Sequence, residues 1–102
     1  MNRLLSLLGL CARAGRVISG EKAVVAAIRS GSARCALLDG AAAPNAEKAV
    51  QDACAWRQVP LIRTERDALG NAIGKPGRMA AAVTDPGFAE SLVRMAGADA
   101  PE

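Results

Sequence analysis

The sequence predicts an α/β fold, a three-layer α/β/α sandwich in one domain. Three observations carry that expectation. Helix-period segments alternate with short strand candidates along the whole chain, in the order α-β-α-β-α-β-α-β-α. The strand candidates are near-continuous apolar runs, as in Cys35-Ala36-Leu37-Leu38, which marks a sheet covered on both faces. The apolar content, 51% of 102 residues, is mostly Ala, Val and Leu, with one Phe, one Trp and no Tyr. Such small side chains suit helices packed closely on a sheet.

Each element has its own local signal. Leu4, Leu7, Leu8 and Cys11 fall at i, i+3, i+4, i+7, so a first amphipathic helix runs from Asn2 to Ala14 and stops at Gly15. Arg16-Val17-Ile18 is a short strand. Ser19 or Gly20 caps a second helix, with Glu21 suiting its dipole and Val24, Ala27 and Ile28 facing inward before Gly31 ends it. Cys35 to Leu38 is a buried strand ahead of the Asp39-Gly40 loop. Asn45 caps a third helix that buries Val50, Ala53 and Cys54 and ends near Arg57. Val59-Pro60-Leu61-Ile62 is a strand whose proline places it at an edge or at the strand start. Thr64-Glu65-Arg66-Asp67 resembles a capping box for a short helix through Leu69 and Ile73, closed by Gly74. Met79 to Thr84 is the last strand, and Asp85-Pro86 starts the last helix, lined by Phe88, Leu92 and Met95. The domain spans residues 1–96, and 97–102 form a frayed tail.

Composition excludes most chemistry. The chain has no His, hence no common general base and no commonest metal ligand. Cys11, Cys35 and Cys54 are scattered, with no Cys-x-x-Cys pair. They read as buried thiols in a reducing, cytoplasmic setting, not as metal or redox sites. Gly70-Asn71-Ala72-Ile73-Gly74-Lys75 imitates a P-loop. It is one residue short, and Pro76 stands where the magnesium-binding hydroxyl belongs. The expectation is therefore no enzyme, no cofactor, no metal and no small-molecule substrate. The Leu-rich start, followed by Ala12-Arg13-Ala14, imitates a short signal peptide, but its apolar residues have helical spacing. No stretch is long enough to span a membrane.

Charge points toward a polyanion. Residues 1–38 carry six basic side chains (Arg3, Arg13, Arg16, Lys22, Arg29, Arg34) against Glu21, while the rest of the chain is slightly acidic. Ser19-Gly20-Glu21-Lys22 turns a strand into a helix. The free N–H groups of that helix start, with Lys22 beside them and Arg13 and Arg16 just before, suit phosphate. With so few aromatic residues, a base-stacking platform on the sheet is not expected.

The run Leu7-Leu8-Gly9-Leu10-Cys11-Ala12-Arg13-Ala14-Gly15-Arg16-Val17-Ile18-Ser19-Gly20-Glu21-Lys22-Ala23-Val24 resembles the opening of the bacterial YlxQ-like branch of the ribosomal protein L-seven-Ae and L-thirty-e superfamily. Ala27 to Gly31, Leu37-Leu38, Leu69 to Gly74 and Ala82 to Ala89 follow in the same order, so the resemblance covers residues 3–96. It implies a mixed four-stranded sheet within the α/β/α sandwich and an RNA-binding, ribonucleoprotein role of the kink-turn type. It also implies three RNA-contacting segments: Ser19, Gly20, Glu21 and Lys22; Asp39 and Gly40; and Gly74, Lys75, Gly77, Arg78 and Met79. Kink-turn binders read sheared G·A pairs with an Asn, a Glu and a Lys on the second helix. Here those positions align with Lys22, Ala23 and Ala26, which leaves phosphate and backbone contacts as the implied grip. The implied partner is structured RNA, either ribosomal RNA or a kink-turn-like element, with the ribosome or its assembly factors nearby. Two other readings compete: a protein-interaction module of the same fold, and a substrate-binding domain detached from an RNA methyltransferase.

Overall fold

All nine expected elements form in the computed structural model, which describes residues 2–99. They are α1 (Asn2–Arg13), β1 (Val17–Ser19), α2 (Glu21–Ser30), β2 (Cys35–Asp39), α3 (Pro44–Arg57), β3 (Leu61–Thr64), α4 (Ala68–Ile73), β4 (Ala80–Val83) and α5 (Pro86–Asp99). The sheet has the order β1-β4-β2-β3. β4 runs antiparallel to both neighbours, pairing Val83 with Val17 on one side and with Cys35 on the other. β2 and β3 are parallel, in the register Ala36 to Leu61 and Asp39 to Thr64. The sheet is therefore mixed, and β3 lies at its edge, as Pro60 suggested.

The period-two pleat assigns each core residue to a layer. Cys35 and Leu37 of β2, with Ala81 and Val83 of β4, point into a core built with Leu4, Leu8 and Cys11 of α1, Leu69 and Ile73 of α4, and Ala89 and Leu92 of α5. Ala36 and Leu38, with Ala80 and Ala82, point the other way. They meet Val24, Ala27 and Ile28 of α2 and Val50, Ala53 and Cys54 of α3. This is the three-layer sandwich: α1, α4 and α5 on one face, α2 and α3 on the other. β2 and β4 are buried along their whole length, which explains why their sequences are continuous apolar runs instead of alternating ones. All three cysteines are free and buried.

Three local expectations are corrected. α3 begins at Pro44 with Ala43 as its N-cap, so Asn45 lies inside the first turn and caps nothing. Proline at the first helical position, whose missing N–H costs the helix nothing there, sets the start. The third strand is shifted: it begins after Pro60, whose carbonyl accepts a bond from the Ala36 N–H at 2.9 Å, and it continues to Thr64. Thr64 is thus the last strand residue and not a helix cap. The residue at the N-cap of α4 is Asp67, at φ 65°, and its side chain makes no capping bond. At the other end of the chain, α5 passes Gly97 and continues to Asp99, and residues 100–102 lie outside the described residues.

Candidate nucleic-acid interface

α2 starts at one end of the sheet. The Gly20 N–H donates to the Ala80 carbonyl at 3.0 Å, and the Gly20 carbonyl accepts from Val24 at 2.9 Å. Gly20 has φ 98°, a conformation that disfavours any side chain, and no side chain caps the helix. The N–H groups of Glu21, Lys22 and Ala23 therefore have no acceptor within the helix and face outward at its positive end. Glu21, Lys22 and Ala23 are all exposed.

The loop between α4 and β4 closes over this helix start. The Arg78 guanidinium lies above Gly20: a Cβ there would stand 2.7 Å from its Nη1, which also reaches toward the Ser19 carbonyl at 3.4 Å. The loop is folded tightly onto α4. A Cβ on Gly70 would stand 2.8 Å from the Lys75 carbonyl oxygen, 2.9 Å from the Gly77 nitrogen and 3.1 Å from the Arg78 nitrogen. Only glycine allows that approach. The Lys75 N–H donates to the Gly70 carbonyl at 2.9 Å. Gly74 and Gly77 take positive φ of 75° and 89°, which turns the loop back toward the sheet.

Asp39 ties the third segment to the other two. Its backbone N–H donates to the Met79 carbonyl at 2.8 Å. Its carboxylate turns inward and is 3% exposed. One oxygen accepts from the Ala41 and Asp67 N–H groups at 2.9 and 2.8 Å, and the other from the Leu69 N–H at 3.0 Å and the Thr64 hydroxyl at 3.3 Å. Burial pushes this carboxyl up, but the bonds from Ala41, Leu69, Asp67 and Thr64 outweigh burial and hold its pKa below the ordinary carboxylate value. Asp39 therefore supplies the cap that α4 lacks from its own sequence. Its buried carboxylate organises the loops, and what it offers the surface is the turn that leads into Gly40. Gly40, which follows it, is exposed and packs against the Thr64–Arg66 backbone.

The structure thus brings together Ser19, Gly20, Glu21, Lys22, Gly40, Gly74, Lys75, Gly77, Arg78 and Met79. Lys22, Lys75 and Arg78 are exposed, and among the described residues none has a carboxylate within ion-pair distance. Met79 is half-buried and contributes its carbonyl. Arg16 is not gathered there, and Arg13 reaches only the Gly74 margin of the loop. Arg13 lines a groove between α1 and α4 with Asn71 and Gly74. Arg16 lies at the opposite end of β1, where its carbonyl accepts from Thr84. A strand separates residues at its two ends, so chain proximity to Gly20 was no guide to spatial proximity. Sequence reasoning missed Arg66, whose exposed side chain passes Gly40 with its Cγ 3.4 Å from where a Cβ would stand. Reading residues 64–67 as a capping box hid it.

Among the described residues no cluster of three metal-ligating side chains forms. No helix in them is long and apolar enough to cross a membrane.

Known proteins share both the sequence and this architecture. Two curated relatives carry the name RNA-binding protein YlxQ. The one from Bacillus subtilis is 44% identical over 90 residues, covering 87% of this chain and 90% of that protein. The one from Enterococcus faecium is 34% identical over 89 residues, covering 86% and 85%. A solved structure of a Bacillus halodurans protein of unknown function superposes with a TM-score of 0.89 at 36% identity, over 95% of this chain and 99% of that one. The fold also matches the Giardia lamblia 15.5kD RNA binding protein, with a TM-score of 0.76 at 20% identity over 95% and 87% of the two chains. The sequence profile of the ribosomal protein L7Ae/L30e/S12e/Gadd45 family matches residues 2–93, and the chain belongs to that family.

Proposed function

We propose that this protein binds structured RNA by gripping its phosphates at the loop end of the sheet. The observation that carries the reading is the convergence there of an uncapped helix start with Lys22, Lys75, Arg78 and Arg66, with none of the first three cations neutralised by a described carboxylate. Backbone N–H groups and cations of this kind fit phosphate oxygens without reading bases. The names of the Bacillus subtilis and Enterococcus faecium relatives support RNA as the partner. In this reading the target is ribosomal RNA or a ribosome-assembly intermediate in the cytoplasm, and it contains a kink-turn-like bend. Ala23 and Ala26 on the exposed face of α2 offer no hydrogen bonds to base edges, so the bend is recognised by its backbone path.

The test is a titration at two salt concentrations. It compares a kink-turn RNA with the same RNA after its G·A pairs are made Watson–Crick. Four cations on phosphates give a slope of log K against log salt of roughly −3. The Lys22→Glu and Arg78→Glu variants are each expected to weaken binding by about ten-fold. Affinity flat in salt and indifferent to both changes would remove this surface from RNA binding. Absence of binding to either RNA would hand the surface to a protein partner.

A further inference from the structure

The opposite end of the domain carries a second basic surface built around the chain's one tryptophan. Trp56 sits in the last turn of α3 and is 71% exposed, the more exposed of the two large apolar side chains left at the surface among the described residues. Such a ring is costly to leave in water, and among the described residues no apolar side chain covers it. It stands as a ridge between two grooves. One, of about 400 Å³, is lined by Arg34, Arg57, Gln58 and Pro60; the other contains Arg29 and Asp52. The Arg57 guanidinium is held in place between the Trp56 ring, 5.7 Å from its centroid, and Gly31, where a Cβ would stand 2.7 Å from Nη2. Arg16 flanks the same sheet end, on the far side of β4 from Arg34: the Arg34 N–H donates to Val83, and the Arg16 carbonyl accepts from Thr84.

An ordinary explanation exists for part of this charge. Arg29 and Arg57 lie in the last turns of α2 and α3 and offset their dipoles. Two helix ends amount to about one negative charge in total, against four arginines, so a positive excess remains. The neighbouring carboxylates have partners of their own: Asp52 lies 3.2 Å from Lys48, Glu90 lies 3.0 Å from Arg94, and Asp85 accepts from the Phe88 N–H at 2.9 Å. An exposed indole flanked by guanidinium groups that have no carboxylate partner among the described residues matches a stacked base with phosphates on either side.

We propose that this end is a second RNA contact, where Trp56 stacks on an unpaired base of a single-stranded segment and Arg29, Arg34 and Arg57 hold its phosphates. The inference rests on the RNA-binding reading above and adds a second strand to it. α2, ten residues long, spans the distance between the two surfaces, about 15 Å. The domain would then clamp a structured element at one end and its flanking single strand at the other.

The chain has one Trp and no Tyr, so intrinsic fluorescence reports on this surface alone. The experiment titrates the full chain with a uridine decanucleotide. Saturable, salt-sensitive quenching is expected. It should weaken at least ten-fold in Arg29→Glu/Arg57→Glu and stay within two-fold in Lys22→Glu/Arg78→Glu. By filter binding, Trp56→Phe should keep the affinity and Trp56→Ala should lose about ten-fold, as expected for one stacked base. Absence of quenching at millimolar oligonucleotide overturns the proposal, as does quenching abolished by Lys22→Glu/Arg78→Glu. So does a blue shift of the emission with protein concentration alone, which would assign Trp56 to a self-interface. The structured-RNA titration separates the two readings. Binding there that depends on Lys22, without oligonucleotide quenching, removes only the second contact. Quenching alongside structured-RNA binding indifferent to Lys22 removes only the first.

Discussion

Replacing Asp39 with Asn tests whether one buried carboxylate holds the loop end together. Its two oxygens receive three backbone N–H groups and one hydroxyl. An amide keeps only one acceptor oxygen. The least costly orientation leaves that oxygen facing Ala41 and Asp67 and puts the NH₂ toward Leu69 and Thr64. The Thr64 hydroxyl can rotate to accept, but the buried Leu69 N–H then faces a donor and goes unpaired, at about 2 kcal/mol. The other bonds lose their charge assistance, which adds about 1 kcal/mol. The total, about 3 kcal/mol, is a large share of the roughly 5–15 kcal/mol that stabilises a domain. With a urea m-value of about 1.5 kcal/mol/M, the unfolding midpoint followed by circular dichroism should fall by about 2 M at pH 7. The acid dependence gives a second readout. The folded pKa of Asp39 lies below its unfolded value, so its contribution is present above pH 4 and is lost as pH falls through the lowered folded pKa. Titrations of the other carboxylates are common to both proteins and cancel. The stability gap between wild type and Asp39→Asn should therefore narrow below pH 4. A midpoint shift under 0.3 M, or a gap that stays constant down to pH 2, would refute the assignment of Asp39 as the organiser of these loops.

One substitution and one labelling experiment probe the packing further. Gly70→Ala places a methyl group against three backbone atoms of the 75–78 turn, so that turn must move. A cost of about 2 kcal/mol is expected, seen as a melting temperature lower by roughly 10 °C, together with weaker RNA binding; an unchanged melting curve would show that the turn is not packed this way. The three buried thiols should resist iodoacetamide at pH 8 in the folded protein and all react in urea. Burial raises each of them, Cys35 to about 12, so labelling of any one before unfolding contradicts the core described above.

The sequence carried the layers but not their assembly. Leu4, Leu8 and Cys11, or Val24, Ala27 and Ile28, declare their faces by spacing alone, because a helix repeats every 3.6 residues whatever it packs on. The double burial of Cys35 to Leu38 was equally legible as an unbroken apolar run. What was not legible depends on residues far apart in the chain. Thr64 looks like a cap because it is followed by an acidic residue three positions on, yet the carboxylate that caps α4 comes from Asp39, 28 residues before Asp67. Arg16 looks adjacent to Gly20, but an intervening strand holds them at opposite ends of the sheet. Trp56 was visible only as a composition count, since nothing local says whether a lone tryptophan at a helix end is covered.

The insertion of β4 between β1 and β2 has a consequence for how the protein is made. β4 is the last of the four described strands to leave the ribosome, yet it lies inside the sheet, and its start supplies both backbone anchors of the loop end, Ala80 to Gly20 and Met79 to Asp39. A nascent chain ending before residue 79 has α2 and its lysine but no partner for β1 and nothing to hold Arg78 above Gly20. Long-range pairing of this kind forms late and cooperatively. The loop end, with Arg78 seated above Gly20, therefore arises only after β4 has been made and has paired on both sides, so chains that stop short of it lack this surface.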